Sequence, residues 1–196
     1  MEKLIATANV YNYLAAFYCE PDAEVFWNAD YQQLFYDNCS MINPELSSYA
    51  NAINMSINET THLELLQEYT KIFLGPFEII AHPYASIYLE GYSLNGEVTQ
   101  NILHFYNNCG LLFDENVKDL PDNIVVVFQF LHYLLDCEIN GNDSFPEINW
   151  ADKRQEFFKL YVSSWVPKFT EKIINGANNK FYKNLAIFTK KFLEIN

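Results

Sequence analysis

At 196 residues, half of them apolar, the chain is long enough to bury one substantial core and short for two. Its 25 acidic against 12 basic side chains give a formal net charge of −13, which repels a phosphate backbone and excludes nucleic acid as the expected partner. With 17% aromatic and 19% charged residues it is no disordered polyelectrolyte, and its field suits either plain solubility or the capture of a cationic polypeptide.

Leu4, Ile5, Ala8, Tyr11, Leu14, Ala15 and Tyr18 recur at three- and four-residue steps, which predicts a first helix over Glu2–Tyr18. Glu20-Pro21-Asp22 breaks that pattern, and Asp22 is placed to cap a second helix through Glu24–Tyr36, with Val25, Phe26, Ala29, Leu34 and Phe35 facing inward. Pro44 suits the first position of a helix running to about Ile53. Thr60 or Thr61 with Glu64 forms a capping box for a helix that reaches Leu74, where Gly75-Pro76 stops it.

Glu68–Gly91 then forms a hinge-like junction, centred on 75–91, with unusual apolar content: Phe77, Ile79, Ile80, Tyr84, Ile87 and Tyr88. Loops are normally polar, so such a segment is expected to be packed or used for binding. Asn95-Gly96 signals a turn before a helix carrying Val98, Ile102, Leu103, Phe105 and Tyr106 and ending at Gly110. Leu120-Pro121-Asp122-Asn123 opens the most apolar stretch, Ile124–Cys137; its three consecutive valines also suit a strand, but its length favours a central helix. After a polar loop over Asn140–Pro146, helices are expected over Ala151–Val162, Val166–Ile174 and Asn179–Leu193. The expectation is an all-α, multi-helix bundle of nine helices in one domain spanning 1–196.

Catalytic constellations are absent from the pattern. Cys19, Cys39, Cys109 and Cys137 form no CxxC pair, and His62, His82, His104 and His132 form no HExxH pair, so no metal or other cofactor is expected. Ser86 has no nucleophile-elbow setting, and the six glycines make no phosphate loop. No run nears the ~18 apolar residues of a membrane span, and the first twenty residues do not read as a signal peptide, so a non-enzymatic cytoplasmic protein is expected. Asp122 and Asn123 read as helix caps or as polar ligands of a peptide; Tyr69, Ile72 and Phe73 read as core or as one wall of a groove.

The order EYTKIFLGP, HPYASIYLEG, LPDNIVVVFQFL, followed by Trp165–Phe169 and Asn179–Tyr182, resembles the TorD/DmsD/NarJ family of molybdoenzyme maturation chaperones. That resemblance implies an all-helical cytoplasmic chaperone without a reaction of its own. It would bind the twin-arginine signal peptide and apo form of a molybdoenzyme precursor, assist cofactor insertion and delay export, as a monomer or a domain-swapped homodimer. It also implies a peptide-binding set of Tyr69, Ile72, Phe73, Pro83, Tyr84, Ser86, Tyr88, Asp122 and Asn123. The chain departs from the family pattern at Asn123, Val127 and Gln129, where histidine and two acids are common, leaving Asp122 and Glu90 among the candidate partners for arginine. Those departures also motivate an alternative, a helical adaptor that docks the mature part of an enzyme or regulator without reading a signal peptide.

Overall fold

The computed structural model describes residues 1–75, 78–91, 94–114 and 119–195. Pro76 and Phe77, which the sequence reading placed at the end of a helix and in the apolar junction, lie outside the described residues. Among the described residues the chain forms ten α-helices and two π-helical turns, and the only β feature is an isolated bridge between Tyr84 and Asn123. The helices are α1 (Glu2–Tyr18), α2 (Ala23–Phe26), α3 (Ala29–Ile42), α4 (Pro44–Asn58), α5 (His62–Tyr69), α6 (Glu97–Asn108), α7 (Ile124–Asn140), α8 (Trp150–Tyr161), α9 (Val166–Gly176) and α10 (Lys180–Glu194).

The all-α expectation therefore holds, with one helix more than expected. The stretch read as one helix over Glu24–Tyr36 is split, because Asn28 turns its side chain to accept from the Tyr31 amide at 3.0 Å and starts α3 afresh. The split re-registers the pattern, so Leu34, expected inside, is exposed while Phe35 is fully buried. Elsewhere α4 runs on to Asn58 instead of ending near Ile53. The capping box is made by Thr61, whose hydroxyl accepts from the Glu64 amide while the Glu64 carboxylate accepts from the Thr61 amide.

α7 lies along α1 at the centre: His132 Nδ1 meets the Ala8 carbonyl at 2.9 Å, and Phe128 packs its ring against both Tyr11 and Tyr18. On one side α3 and α4 lie against α1 and each other; on the other, α8 covers α7 through Phe157, whose ring sits 4.7 Å from Phe130. α10 packs on α4 and α9, and the Tyr18 and Thr189 hydroxyls pair at 3.0 Å to tie it to α1. One continuous buried cluster runs from Ala8 to Phe192. It absorbs much of the aromatic content: Phe17 alone meets Phe26, Tyr31, Phe35 and Phe181, mostly edge-to-face, and each such buried ring contributes roughly 1.5–3 kcal/mol of burial.

Candidate functional site

The end of α5 winds into a π-helical turn, Thr70–Leu74, closed by the Gly75 amide donating to the Thr70 carbonyl at 2.6 Å. Such turns widen the helix by one residue and so re-aim side chains. Ile72 and Phe73 point inward here, Phe73 meeting the rings of Tyr18, Tyr69, Phe169 and Tyr182. Gly75 has φ +49, and a Cβ there would stand 2.7 Å from the Glu78 carbonyl oxygen, so the chain turns at this point only because the residue has no side chain. The Ala81 amide then donates to the Ile72 carbonyl at 3.0 Å and returns the chain to the core.

Residues 83–86 are clasped to the start of α7. The Ile124 amide donates to the Pro83 carbonyl at 2.8 Å, and the Ala85 amide to the Asp122 carbonyl at 3.0 Å. The Ser86 amide donates to Asp122 Oδ2 at 2.9 Å. Asn123 caps α7 by accepting from the Val125 amide at 2.8 Å and donates its own amide group to Asp119 at 2.8 Å. The Tyr84 hydroxyl donates to the other Asp119 oxygen at 2.9 Å, which also accepts from the Leu120 amide. Asn123 is thus the cap, and Asp122 faces inward as a bracket between the two segments.

The nine residues singled out from sequence divide by exposure. Ile72, Phe73, Ser86, Asp122 and Asn123 are buried, Asp122 completely, whereas Tyr69, Pro83, Tyr84 and Tyr88 are half-buried and reach the surface. Tyr84, Asp122 and Asn123 lie together, with Asp119 bonded to both Tyr84 and Asn123. Tyr88 does not join them. Its ring stacks on Trp165 at 5.5 Å and carries the Lys172 ammonium 5.4 Å from its centroid, on α9. Glu90 is also committed elsewhere, accepting from the Val98 amide at the start of α6. Of the two departures in α7, Val127 is fully buried, so an acid there would not meet solvent, while Gln129 is exposed.

A cleft of about 350 Å³ is walled by Ala15, Cys19, Glu20, Asp22, Val25 and Gln129 among others. Electrostatics link its Cys19 and Glu20 to Tyr69 and Asp119. Burial raises the Cys19 thiol pKa, and Asp119 adds to the rise. Tyr69 is pushed up to about 12 by burial, then by Cys19, Glu20 and Asp119. Burial also raises Tyr84, helped by its hydrogen bond to Asp119. All three groups are therefore neutral near pH 7, and the negative potential comes from the carboxylates. Asp119 and Glu20 escaped the sequence reading; their signal was position, Asp119 directly before the Leu-Pro-Asp-Asn start and Glu20 at the break after α1.

The arrangement offers half-buried phenol rings beside fixed carboxylates, suited to holding a cation with an apolar neighbour. Among the described residues no group of His, Cys, Asp and Glu is placed to hold a metal ion, and no helix is long and apolar enough to cross a membrane.

The family model described as nitrate reductase delta subunit matches residues 32–171, more than half of the chain. The chain is 27% identical over 160 residues to the chaperone protein TorD of Vibrio parahaemolyticus serotype O3:K6, covering 79% of this chain and 73% of that protein. It is likewise 27% identical over 161 residues to the chaperone protein TorD of Shewanella sp. strain MR-4, covering 77% and 72%. A solved structure described as a redox enzyme maturation protein from Archaeoglobus fulgidus superposes with a TM-score of 0.61 over 96% of this chain and 93% of that one, at 18% identity, a likeness of fold.

Proposed function

The chain belongs to the nitrate reductase delta subunit family, the group its ordered motifs resemble, and from that premise we propose that it is a cytoplasmic maturation chaperone for a molybdoenzyme, without catalysis of its own. In this reading it binds the twin-arginine signal peptide of the partner precursor, holds the apoenzyme during cofactor insertion and delays export. The observation that supports the peptide-binding part is the hydrogen bond of half-buried Tyr84 to Asp119, with half-buried Tyr69 within electrostatic reach of Glu20 and Asp119, on a chain of net charge −13. Tyrosines in such a position supply rigid contact area, and the carboxylates steer and pair the arginines.

Asp122, Asn123 and Ser86 enter as supports: they fix Tyr84 and Asp119, and their burial keeps them off the peptide. Isothermal titration with twin-arginine peptides from the same genome tests the proposal, and no binding by any of them at micromolar protein sinks it. A second reading, an adaptor docking the mature enzyme, is favoured by one observation, the commitment of Glu90 to α6 and of Asp122 to the core. Co-purification with a partner lacking its signal sequence separates the two: a retained complex supports the adaptor, a lost one the signal-peptide chaperone.

A further inference from the structure

The chain contains three Asn-Gly pairs, Asn95-Gly96, Asn140-Gly141 and Asn175-Gly176. Glycine offers no side chain to shield its amide nitrogen, which can therefore attack the carboxamide of the preceding asparagine. All three asparagines are exposed, so solvent access does not separate them. The glycine amide does. That of Gly141 donates to the Cys137 carbonyl at 2.9 Å, and Asn140, the last residue of α7, holds its side chain on Asp136 at 2.8 Å. Asn175 and Gly176 both lie within α9, where the amide belongs to the helical ladder, and a Cβ on Gly176 would meet Ile80 at 2.4 Å. Among the described residues the Gly96 amide has no hydrogen-bond partner; only its carbonyl is engaged, accepting from the Gln100 amide at 3.2 Å. The Asn95 side chain is prepared as well. Its φ of +57, the only positive value at a non-glycine among the described residues, sets it in a left-handed turn before α6. Its Oδ1 accepts from Gln100 Nε2 at 3.1 Å. A donor on that oxygen draws electron density from Cγ and steadies the negative charge the oxygen carries once Cγ becomes tetrahedral.

We propose that Asn95-Gly96 is a self-modifying site, at which the chain converts its own asparagine to aspartate and isoaspartate with solvent water as the co-reactant. The Gly96 nitrogen forms a bond to Asn95 Cγ and gives up its proton. The Cγ–Nδ2 bond breaks, and the side-chain nitrogen leaves with that proton as ammonia, closing a five-membered succinimide. Water opens the ring at Cγ to give aspartate, or at the Asn95 backbone carbonyl to give isoaspartate, in which the main chain runs through the side chain. Asparagine and water are consumed; an acid and ammonia result. Either product sets a new carboxylate directly before Gly96, where Glu90 already stands: a Cβ on Gly96 would lie 2.0 Å from Glu90 Oε2. Isoaspartate also lengthens the main chain by one methylene at that point. Glu90 accepts from the Val98 amide and so ties the π-helical turn Ile87–Gly91 to the start of α6. Like charge and a longer backbone both act to part Gly96 from Glu90, which loosens that tie.

The test incubates the full chain at mildly alkaline pH, where the attacking nitrogen loses its proton more readily, and follows each Asn-Gly pair by peptide mass mapping. Enzymatic carboxyl methylation reads isoaspartate separately from aspartate. Asn95 is expected to convert at least about tenfold faster than Asn140 or Asn175, because those two must first break a backbone hydrogen bond. In concentrated denaturant that constraint is gone, and the three rates are expected to converge. A lead for Asn95 that is missing in the folded chain, or that keeps its full size in denaturant, overturns the proposal. Gln100→Ala is expected to slow Asn95 by about two- to tenfold, the worth of one exposed hydrogen bond to the reacting oxygen, and to leave the other two pairs unchanged. An unaltered Asn95 rate in that variant overturns the donor's role. Chain carrying isoaspartate, separated by anion exchange, is expected to exchange the Val98 amide hydrogen at least about twofold faster than the starting chain. Equal protection of Val98 in the two fractions overturns the link to α6.

Discussion

Asp122 is the residue whose role the structure changes most, and its replacement separates a bracket from a ligand. Its Oδ2 accepts from the Ser86 amide at 2.9 Å, its carbonyl accepts from the Ala85 amide, and its side chain is 0% exposed. Asp122→Ala strands the buried Ser86 N–H, which costs about 1–3 kcal/mol, and the bond lost is to a charged acceptor, which places the effect in the upper half of that range. For a chain of this length about 2–3 kcal/mol lowers Tm by roughly 4–12 °C. Asp122→Asn keeps an oxygen for the same amide and lifts the desolvation burden of the other oxygen, which has no hydrogen-bond partner among the described residues, so its cost is expected at about 1 kcal/mol or less. Thermal unfolding by circular dichroism, paired with peptide titration on each variant, reads both effects. An Asp122→Ala protein melting at the unaltered temperature refutes the bracket. So does an Asp122→Asn protein that keeps its Tm and loses the peptide, since only a carboxylate in direct contact with an arginine gives that pattern.

Gly75→Ala places a Cβ against the Glu78 carbonyl at φ +49 and is expected to cost about 1–3 kcal/mol in chemical denaturation, whereas Gly91→Ala, with open space around its Cβ, is expected to cost less despite φ +75. Tyr84→Phe removes one hydrogen bond but leaves the Asp119 oxygen still accepting from the Leu120 amide, so a loss of about 0.5–1.5 kcal/mol is expected in the same assay. His82 has its pKa lowered by burial and then by Lys172. As pH falls below the ordinary value of about 6.5 the unfolded chain takes up that proton before the folded one does, so His82 lowers stability on acidification through this window. Tm measured from neutral to mildly acid pH is expected to fall less in His82→Gln than in the unaltered chain; the difference is small because the imidazole is only partly buried, and its absence refutes the assignment.

Periodicity carried the reading of α1, α7, α9 and α10, where a continuous apolar face and a clear cap or break coincide. It failed where a polar side chain acts on the backbone. Asn28 sits inside an apolar-periodic stretch, and nothing in the spacing reveals that its oxygen takes the Tyr31 amide and restarts the helix. α4 extends past Ile53 through the polar positions Asn54, Ser56 and Asn58. In the fold each is occupied: Asn54 reaches the Gln32 carbonyl, Ser56 bonds back to the Ala52 carbonyl, and Asn58 pairs with Gln32. At the candidate site the motif order located the right segments but not the roles within them. Three polar positions within five residues, Asp119, Asp122 and Asn123, all qualify as caps by type, and only the tertiary clasp decides that Asn123 caps, Asp122 brackets and Asp119 holds Tyr84.

That division of roles bears on how the largely apolar segment at 83–88 is held in place. A binding surface built on a loop is only as accurate as the loop's anchorage, and this one is anchored by three amide donors meeting residues Pro83 and Asp122 from both sides. Replacing the bracket by apolar packing would leave the Ser86 amide unsatisfied, while the Ala85 amide would keep its bond to the backbone carbonyl of residue 122. Under the proposed function, the carboxylates left for a peptide are Asp119, hydrogen-bonded to Tyr84 and Asn123, and Glu20. Under the same proposal the departure at position 123 is compatible with binding: asparagine caps α7 and holds Asp119 at once, and as a neutral residue it adds no positive charge beside that carboxylate.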